Sequence, residues 1–131
     1  MVNAFAYWQG QQIRNATRTY IDDLIQAFGH IQEMVKSADA VELWNGETGW
    51  PTDGGTDYGD AKASTNYAKT FYQQGVCGML DWDVNVFYFE AFDEPWKPAS
   101  VGDSGTSSDE THWGAMTAER QAKFPLSCKR V

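Results

Sequence analysis

Three stretches of this chain crowd tryptophan or tyrosine together with hydrogen-bonding side chains. They are Tyr7-Trp8-Gln9-Gly10, Glu47-Thr48-Gly49-Trp50-Pro51 and Glu90-Ala91-Phe92-Asp93-Glu94-Pro95-Trp96-Lys97. Aromatic rings beside carboxylates suit a sugar, whose C–H faces stack on rings and whose hydroxyls donate to charged acceptors. The stacking candidates are Tyr7, Trp8, Trp50, Trp96 and Trp113, and the acceptors are Glu47, Glu90, Asp93, Glu94 and Glu110. Lys97 either pairs with Glu94 or donates to a sugar hydroxyl. Any one of these residues reads equally well as a core aromatic or a solvated loop acid; their grouping is what suggests a glycan site. His30 and His112 have no serine or cysteine partner at a recognisable elbow, so both read as structural. No loop has the spacing of a Ca²⁺-binding EF-hand. No CxxC or HxxxH pairing accompanies the two cysteines, so no metal or other cofactor is expected.

Positioning these groups takes regular elements. The apolar run at 2–8 predicts a strand, and the spacing of Tyr20, Ile21, Leu24, Ile25, Phe28, Ile31, Met34 and Val35 predicts a helix over 17–36. In that reading Asp22 and Asp23 occupy the first turn and Lys36 lies near the end, as the helix dipole favours. A second strand is expected at 40–44, a second helix at 60–74 and a third strand at 83–92. The near-continuous apolarity of 83–92 implies burial on both faces. Residues 95–110 read as a polar loop, and 115–124 as one or two helical turns. The order βαβαβ implies a parallel sheet with right-handed crossovers. In such sheets functional loops follow the carboxyl ends of strands, which is where the three motifs fall.

Bulk properties narrow the partners. The chain has 131 residues, enough for one domain with a sizeable core but short of the ~200 to 250 of a complete (β/α)8 barrel. Ten basic and eighteen acidic residues give a net charge of −8, which disfavours nucleic acid and anionic membranes. No apolar stretch is long enough to span a bilayer, and no signal peptide is visible at the N-terminus. Cys77 and Cys128 either form one disulfide or remain two buried thiols. Asn15-Ala16-Thr17 is a glycosylation sequon, meaningful only in a secreted chain.

Taken in order, the three motifs resemble the carboxyl-terminal part of the fungal members of glycoside hydrolase family 17, the β-1,3-glucanases and glucanosyltransferases. Glu47-Thr48-Gly49-Trp50-Pro51 resembles the segment after the seventh barrel strand that carries the nucleophile. Residues 89–97 resemble the segment after the eighth strand, Glu110-Thr111-His112-Trp113-Gly114 the one that follows, and Tyr7-Trp8-Gln9-Gly10 the end of the sixth. The resemblance implies Glu47 at the nucleophile position, Glu94, Lys97 and Glu110 along the sugar subsites, and Tyr7 as a stacking aromatic. It also implies that Cys128 pairs with Cys77. The family's general acid lies in an Asn-Glu pair after the fourth strand, and no residues here correspond to strands one to five.

A retaining glycosidase needs two carboxyls about 5 to 5.5 Å apart, one protonated and one ionised. With one of them lacking, the expectation is a single glycan-binding domain over 1–131, lectin-like and non-catalytic, similar to small glycan-binding proteins of mushroom fruiting bodies. Three parallel strands cannot close a barrel, so the sheet is expected to open into an αβα sandwich extended by homodimerisation across an edge. The partner is a glycan and the location secreted or cell-wall associated. The alternative is a β-1,3-glucan hydrolase or transglycosylase with Glu47 as nucleophile.

Overall fold

The central sheet is narrow and its ladder short. β1 (Val2–Asn3), β2 (Asn45–Thr48) and β3 (Val86–Tyr88) lie side by side in that order, all parallel. The Ala4 N–H donates to the Glu47 carbonyl at 3.0 Å, and the Phe89 N–H to the Thr48 carbonyl at 2.7 Å. The structure is a computed structural model that describes residues 1–54, 57–101, 105 and 107–129. Parts of the loops expected after Pro51 and across 95–110 lie outside the described residues.

α1 (Ile13–Val35) crosses from β1 to β2. Its buried residues, Ala16, Tyr20, Leu24 and Phe28, recur every fourth position and form one stripe against the core. The helix starts four residues earlier than the sequence predicts. Asp22 and Asp23 therefore sit inside it, and no acidic residue occupies the first turn. It stops at Lys36, which turns into the left-handed region at φ 56° and caps the Glu33 carbonyl. Ile25, Met34 and Val35, expected on the apolar face, are exposed.

The second crossover is one helical run in three parts: α2 (Thr65–Phe71), a π-helical turn (Tyr72–Val76) and α3 (Cys77–Asp81). Gly75 falls in the π turn, where a Cβ would stand 3.2 Å from the Tyr20 ring, so its bare backbone lets α1 pack close. Cys77 at the start of α3 forms a disulfide with Cys128, enclosing a separation of 51 residues. A loop of that size is worth about 4 kcal/mol in the chain-entropy model. The tail is further held by the Tyr72 hydroxyl, which donates to the Leu126 carbonyl at 2.9 Å.

Both helical segments cover the same face of the sheet. Tyr20 and Phe71 meet at 5.2 Å between centroids, Phe71 packs 5.7 Å from Trp50, and Tyr72 packs 5.2 Å from Tyr88. Two successive right-handed crossovers stepping in one direction put both helices on one side. The described residues form one sheet layer and one helical layer, so the expected αβα sandwich is corrected. Phe87, on the opposite face from Tyr88, is half exposed, which also corrects the reading of 83–92 as buried on both sides. The strand expected at 40–44 forms instead at Asn-Gly-Glu-Thr, and the one expected at 2–8 ends after Asn3.

Two later segments differ as well. The polar loop contains a small antiparallel pair, β4 (Ser100–Val101) with β5 (Ser107–Ser108). Residues 115–124 form no helix. Instead 113–116 lie along the chain after β3, with Glu90 N–H donating to the Trp113 carbonyl at 3.1 Å and Ala115 N–H to the Glu90 carbonyl at 2.8 Å.

Asn45 stitches these layers together. Its buried Oδ1 accepts from the Tyr20 hydroxyl at 2.9 Å, and its Nδ2 donates to the carbonyls of Val2 at 2.8 Å and Glu47 at 3.0 Å. Removing the hydroxyl leaves the amide oxygen unpaired in the core. Tyr20→Phe is expected to lower stability by about 1–3 kcal/mol in urea unfolding. A loss below about 0.5 kcal/mol, the size of a net-neutral hydrogen bond, would count against this role.

Candidate functional site

The chain leaving β1 turns sharply at 6–10 and brings Tyr7 and Trp8 to the carboxyl end of the sheet. Gly10 makes that turn at φ 68°, and a Cβ there would stand 3.4 Å from the Gly59 Cα. β2 delivers Glu47 onto the uncovered face, one step from the buried Thr48. Its backbone is fixed, since the Glu47 carbonyl accepts from both Ala4 N–H and the Asn45 amide. Gly49 follows because a Cβ there would overlap the Phe89 carbonyl oxygen. Gly114 is under the same constraint, its Cβ position overlapping the Asp93 nitrogen and the Met116 oxygen.

These turns converge on a cavity of about 350 Å³ lined by Phe5, Trp8, Glu47, Phe89, Lys97, Glu110 and Trp113. Its aromatic floor is continuous. Trp8 stacks on Trp113 at 5.3 Å, and the rings of Phe5 and Phe89 stand edge-on to Trp113 at 5.8 and 5.9 Å. The Trp113 Nε1–H is buried with no hydrogen-bond partner among the described residues. A larger cavity of about 470 Å³, lined by Gln12, Ile13, Arg14, Asp60, Lys62 and Tyr67, contains none of the predicted site residues.

On one side of the cleft, Lys97 holds three glutamates. Its Nζ lies 3.3 Å from Glu94, 3.5 Å from Glu90 and 3.8 Å from Glu110, and 4.3 Å from the centre of the Phe89 ring. Burial works against the ammonium, but the carboxylates outweigh it and raise its pKa. The Glu90 carboxyl is pushed up to about 7, chiefly by burial, with Lys97 opposing and Glu94 reinforcing. Beyond this group, Asp109 is held below the usual carboxylate range by hydrogen bonds from Thr111, with burial opposing and His112 assisting.

A second lysine ties the loops behind the cleft. Lys123 Nζ donates to Asp93 Oδ1 at 2.6 Å and to Thr52 Oγ1 at 2.7 Å. Asp93 Oδ1 also accepts from Gly114 N–H at 3.0 Å, and the Thr52 N–H donates to the His112 carbonyl at 2.9 Å. One ion pair thus binds the segments after β2 and β3 to the Glu110–Gly114 stretch.

The structure sorts the predicted residues. Trp8, Glu47, Lys97, Glu110 and Trp113 meet in the cavity, and Glu94 stands behind it on Lys97. Trp113, only 1% exposed and covered by Trp8, offers no stacking face, contrary to expectation. Nor do Tyr7 and Trp50. Both are buried beneath the site, Tyr7 packing 5.1 Å from Trp8 and from Trp50, and the Trp50 Nε1–H donating to the Lys62 carbonyl at 2.9 Å. Burial, aided by Asp57, pushes the Tyr7 hydroxyl up to about 12. Trp96 is 75% exposed and outside the cavity. Of the residues that matter, Phe5, Phe89 and Lys123 went unread as site components. Phe5 and Phe89 look like strand core in an apolar run, and nothing local to Lys123 points to Asp93.

Residues 1–128 match the sequence model of Glycosyl hydrolases family 17. Over 129 residues the chain is 57% identical to a protein of Arthroderma benhamiae named glucan 1,3-beta-glucosidase, covering 98% of this chain and 42% of the relative. A protein of the same name from Saccharomyces cerevisiae is 48% identical over 128 residues, covering 98% of this chain and 39% of that one. The crystal structure of the family 17 beta-1,3-glucanosyltransferase from Rhizomucor miehei aligns with TM-score 0.69 over 96% of this chain and 42% of its own, at 24% identity, a likeness of fold. The chain spans about two fifths of the length of the curated relatives it matches. The expectation of a non-enzyme is corrected: relatives this similar across almost the whole chain carry the names of enzymes.

The Lys123–Asp93 pair is nearly enclosed, with side-chain exposures of 11% and 13%. Lys123→Met should cost about 3–5 kcal/mol in urea unfolding, because it strands a buried carboxylate. Adding Asp93→Asn to that variant should restore part of the loss. If the single variant unfolds at the wild-type midpoint, the pair does not hold the loops.

Proposed function

This chain belongs to glycoside hydrolase family 17, and from that premise we propose that it is the portion of a β-1,3-glucan-acting catalytic domain that carries the nucleophile, Glu47, and one wall of the sugar cleft. The observation that supports this most is the placement of Glu47 in one cavity with two stacked tryptophans, Trp8 and Trp113, and with Lys97 and Glu110. A glucose ring lying on Trp8, the partly exposed member of the stacked pair, presents its apolar face to that ring and its hydroxyls to Lys97 and Glu110.

In a retaining reaction the Glu47 carboxylate attacks the anomeric carbon while an acid protonates the departing glycosidic oxygen, leaving a covalent glycosyl-enzyme. Attack by water then completes hydrolysis, and attack by a sugar hydroxyl completes transfer. We assign the proton donor to the three fifths of the relatives' length that this chain does not span. Of the acids here, Glu90 and Glu94 are engaged with Lys97, and Glu110 is 3.8 Å from the same ammonium. The disulfide supports an oxidising location, outside the cell or at its wall.

The uncovered sheet face and the two outer strands, β1 and β3, call for a cover. We assign that cover to the same remaining portion of the domain. Edge pairing of two copies is the second reading, favoured by β1 and β3 being edge strands of the described sheet, and a monomer by light scattering at micromolar concentration would remove it.

The test is a chimera in which residues 1–129 follow the part of the Arthroderma benhamiae relative that they do not match. It should release reducing sugar from laminarin, and Glu47→Gln should cut that release by about a thousandfold or more. Wild-type rates in the Glu47→Gln chimera would overturn the assignment.

A further inference from the structure

We propose that Glu90 is a positioning residue: it never touches the sugar but, by gaining or losing a proton, decides how Lys97 divides its hydrogen bonds between the interior and the cleft, and so how Glu110 is presented to substrate. The proposal rests on the glucan-cleft reading for its consequence but not for its mechanism. Lys97 and Glu110 line the cavity, whereas Glu90 does not. Glu90 is the most enclosed of the three glutamates on Lys97, with a side-chain exposure of 15% against 21% for Glu110 and 32% for Glu94. Its backbone is pinned to Trp113 and Ala115, and its side chain sits beside Lys97 outside the cavity lining.

Charge counting sets the device. Three carboxylates on one ammonium leave an excess of two negative charges, with Glu47 facing the same cavity and adding to it. Such a group relieves itself by binding a proton at its least solvated member. Glu90 is that member. Protonated, it shares its hydrogen with Glu94, leaving Lys97 to Glu94 and Glu110. Ionised, it accepts from the ammonium through Oε2, its buried Oε1 having no partner among the described residues, and so competes for Lys97. Desolvation moves this exchange to near neutrality. Asp93, the other acid on this segment, is occupied by Lys123 and takes no part.

The experiment is an NMR titration of the chain without sugar from pH 5 to 9, following glutamate carboxyl carbons and the Lys97 Nζ. One carboxyl should titrate near 7, vanish in Glu90→Gln, and be tracked by the Lys97 signal at the same midpoint. All glutamates titrating below pH 6, or a Lys97 signal that ignores the transition, would overturn the proposal. Should Glu90→Gln fail to fold, Glu94→Gln serves instead, and must shift the near-neutral midpoint downward. A second arm measures laminaritriose binding at pH 5.5 and 8.5 through tryptophan fluorescence in the chimera described above, where both walls of the cleft are present. Wild type should bind severalfold differently at the two values and Glu90→Gln equally at both. The same pH dependence in both proteins would overturn the role in presentation. No binding by either at any pH would sink the glucan-cleft reading while the titration still decides Glu90.

Discussion

The placement of Glu47 depends on a single buried amide. Asn45 has a donor group and an acceptor oxygen, and the core gives each a partner: the Tyr20 hydroxyl from α1, the Val2 carbonyl from β1 and the Glu47 carbonyl two residues on. A buried amide with partners on three elements fixes their relative height and rotation, because shifting any one of them breaks a bond that water cannot replace. β2 is Asn-Gly-Glu-Thr, a sequence with weak strand propensity, and it is held as a strand by this network and by its two neighbours. The carboxylate that matters emerges from the strand one peptide beyond Gly46, on the opposite face from Asn45.

Two lysines then complete the site by different means. Lys123 is spent on structure: it is enclosed, closely paired to Asp93, and bridges the loops after β2 and β3. Lys97 sits at the cleft wall under more negative charge than it can neutralise. Excess charge in a partly desolvated place makes protonation responsive to environment, which is useful at a site and harmful in a core. The aromatic floor contributes to this, since Phe89 lies under the Lys97 ammonium and Trp113 walls the cavity beside it.

How much of this could be read from residues alone follows from the range of the interactions involved. The parallel βαβαβ order was legible because helix periodicity is local and crossovers have one hand. The meeting of Trp8, Glu47, Lys97, Glu110 and Trp113 was legible through the resemblance of their motifs, and so was the pairing of Cys77 with Cys128. The second strand was misplaced by several residues because Val41, Leu43 and Trp44 look more strand-like than Asn45 to Thr48, and no local rule reports the Tyr20–Asn45 bond across 25 residues. Tyr7 and Trp50 were misjudged for a related reason. An aromatic at a strand end faces the cleft or the core depending on one peptide rotation, and here Tyr7 fills the space beneath Trp8 that would otherwise be a void.

The distribution of burial over the sheet explains why the cleft is shaped as it is. One face is sealed by a single helical layer, in which Phe71 and Tyr72 pack against Trp50 and Tyr88 and Tyr20 of α1 packs on Phe71. The other carries Glu47 and the half-exposed Phe87. Phe87 thus leaves apolar surface on the face that carries Glu47. Glu47 stands where the open face meets the packed carboxyl end, in one cavity with the aromatic rings of Phe5, Trp8 and Phe89. A reacting carboxylate requires both conditions at once, rigid support beneath and room for a second group opposite. A residue buried within the closed layer could satisfy only the first.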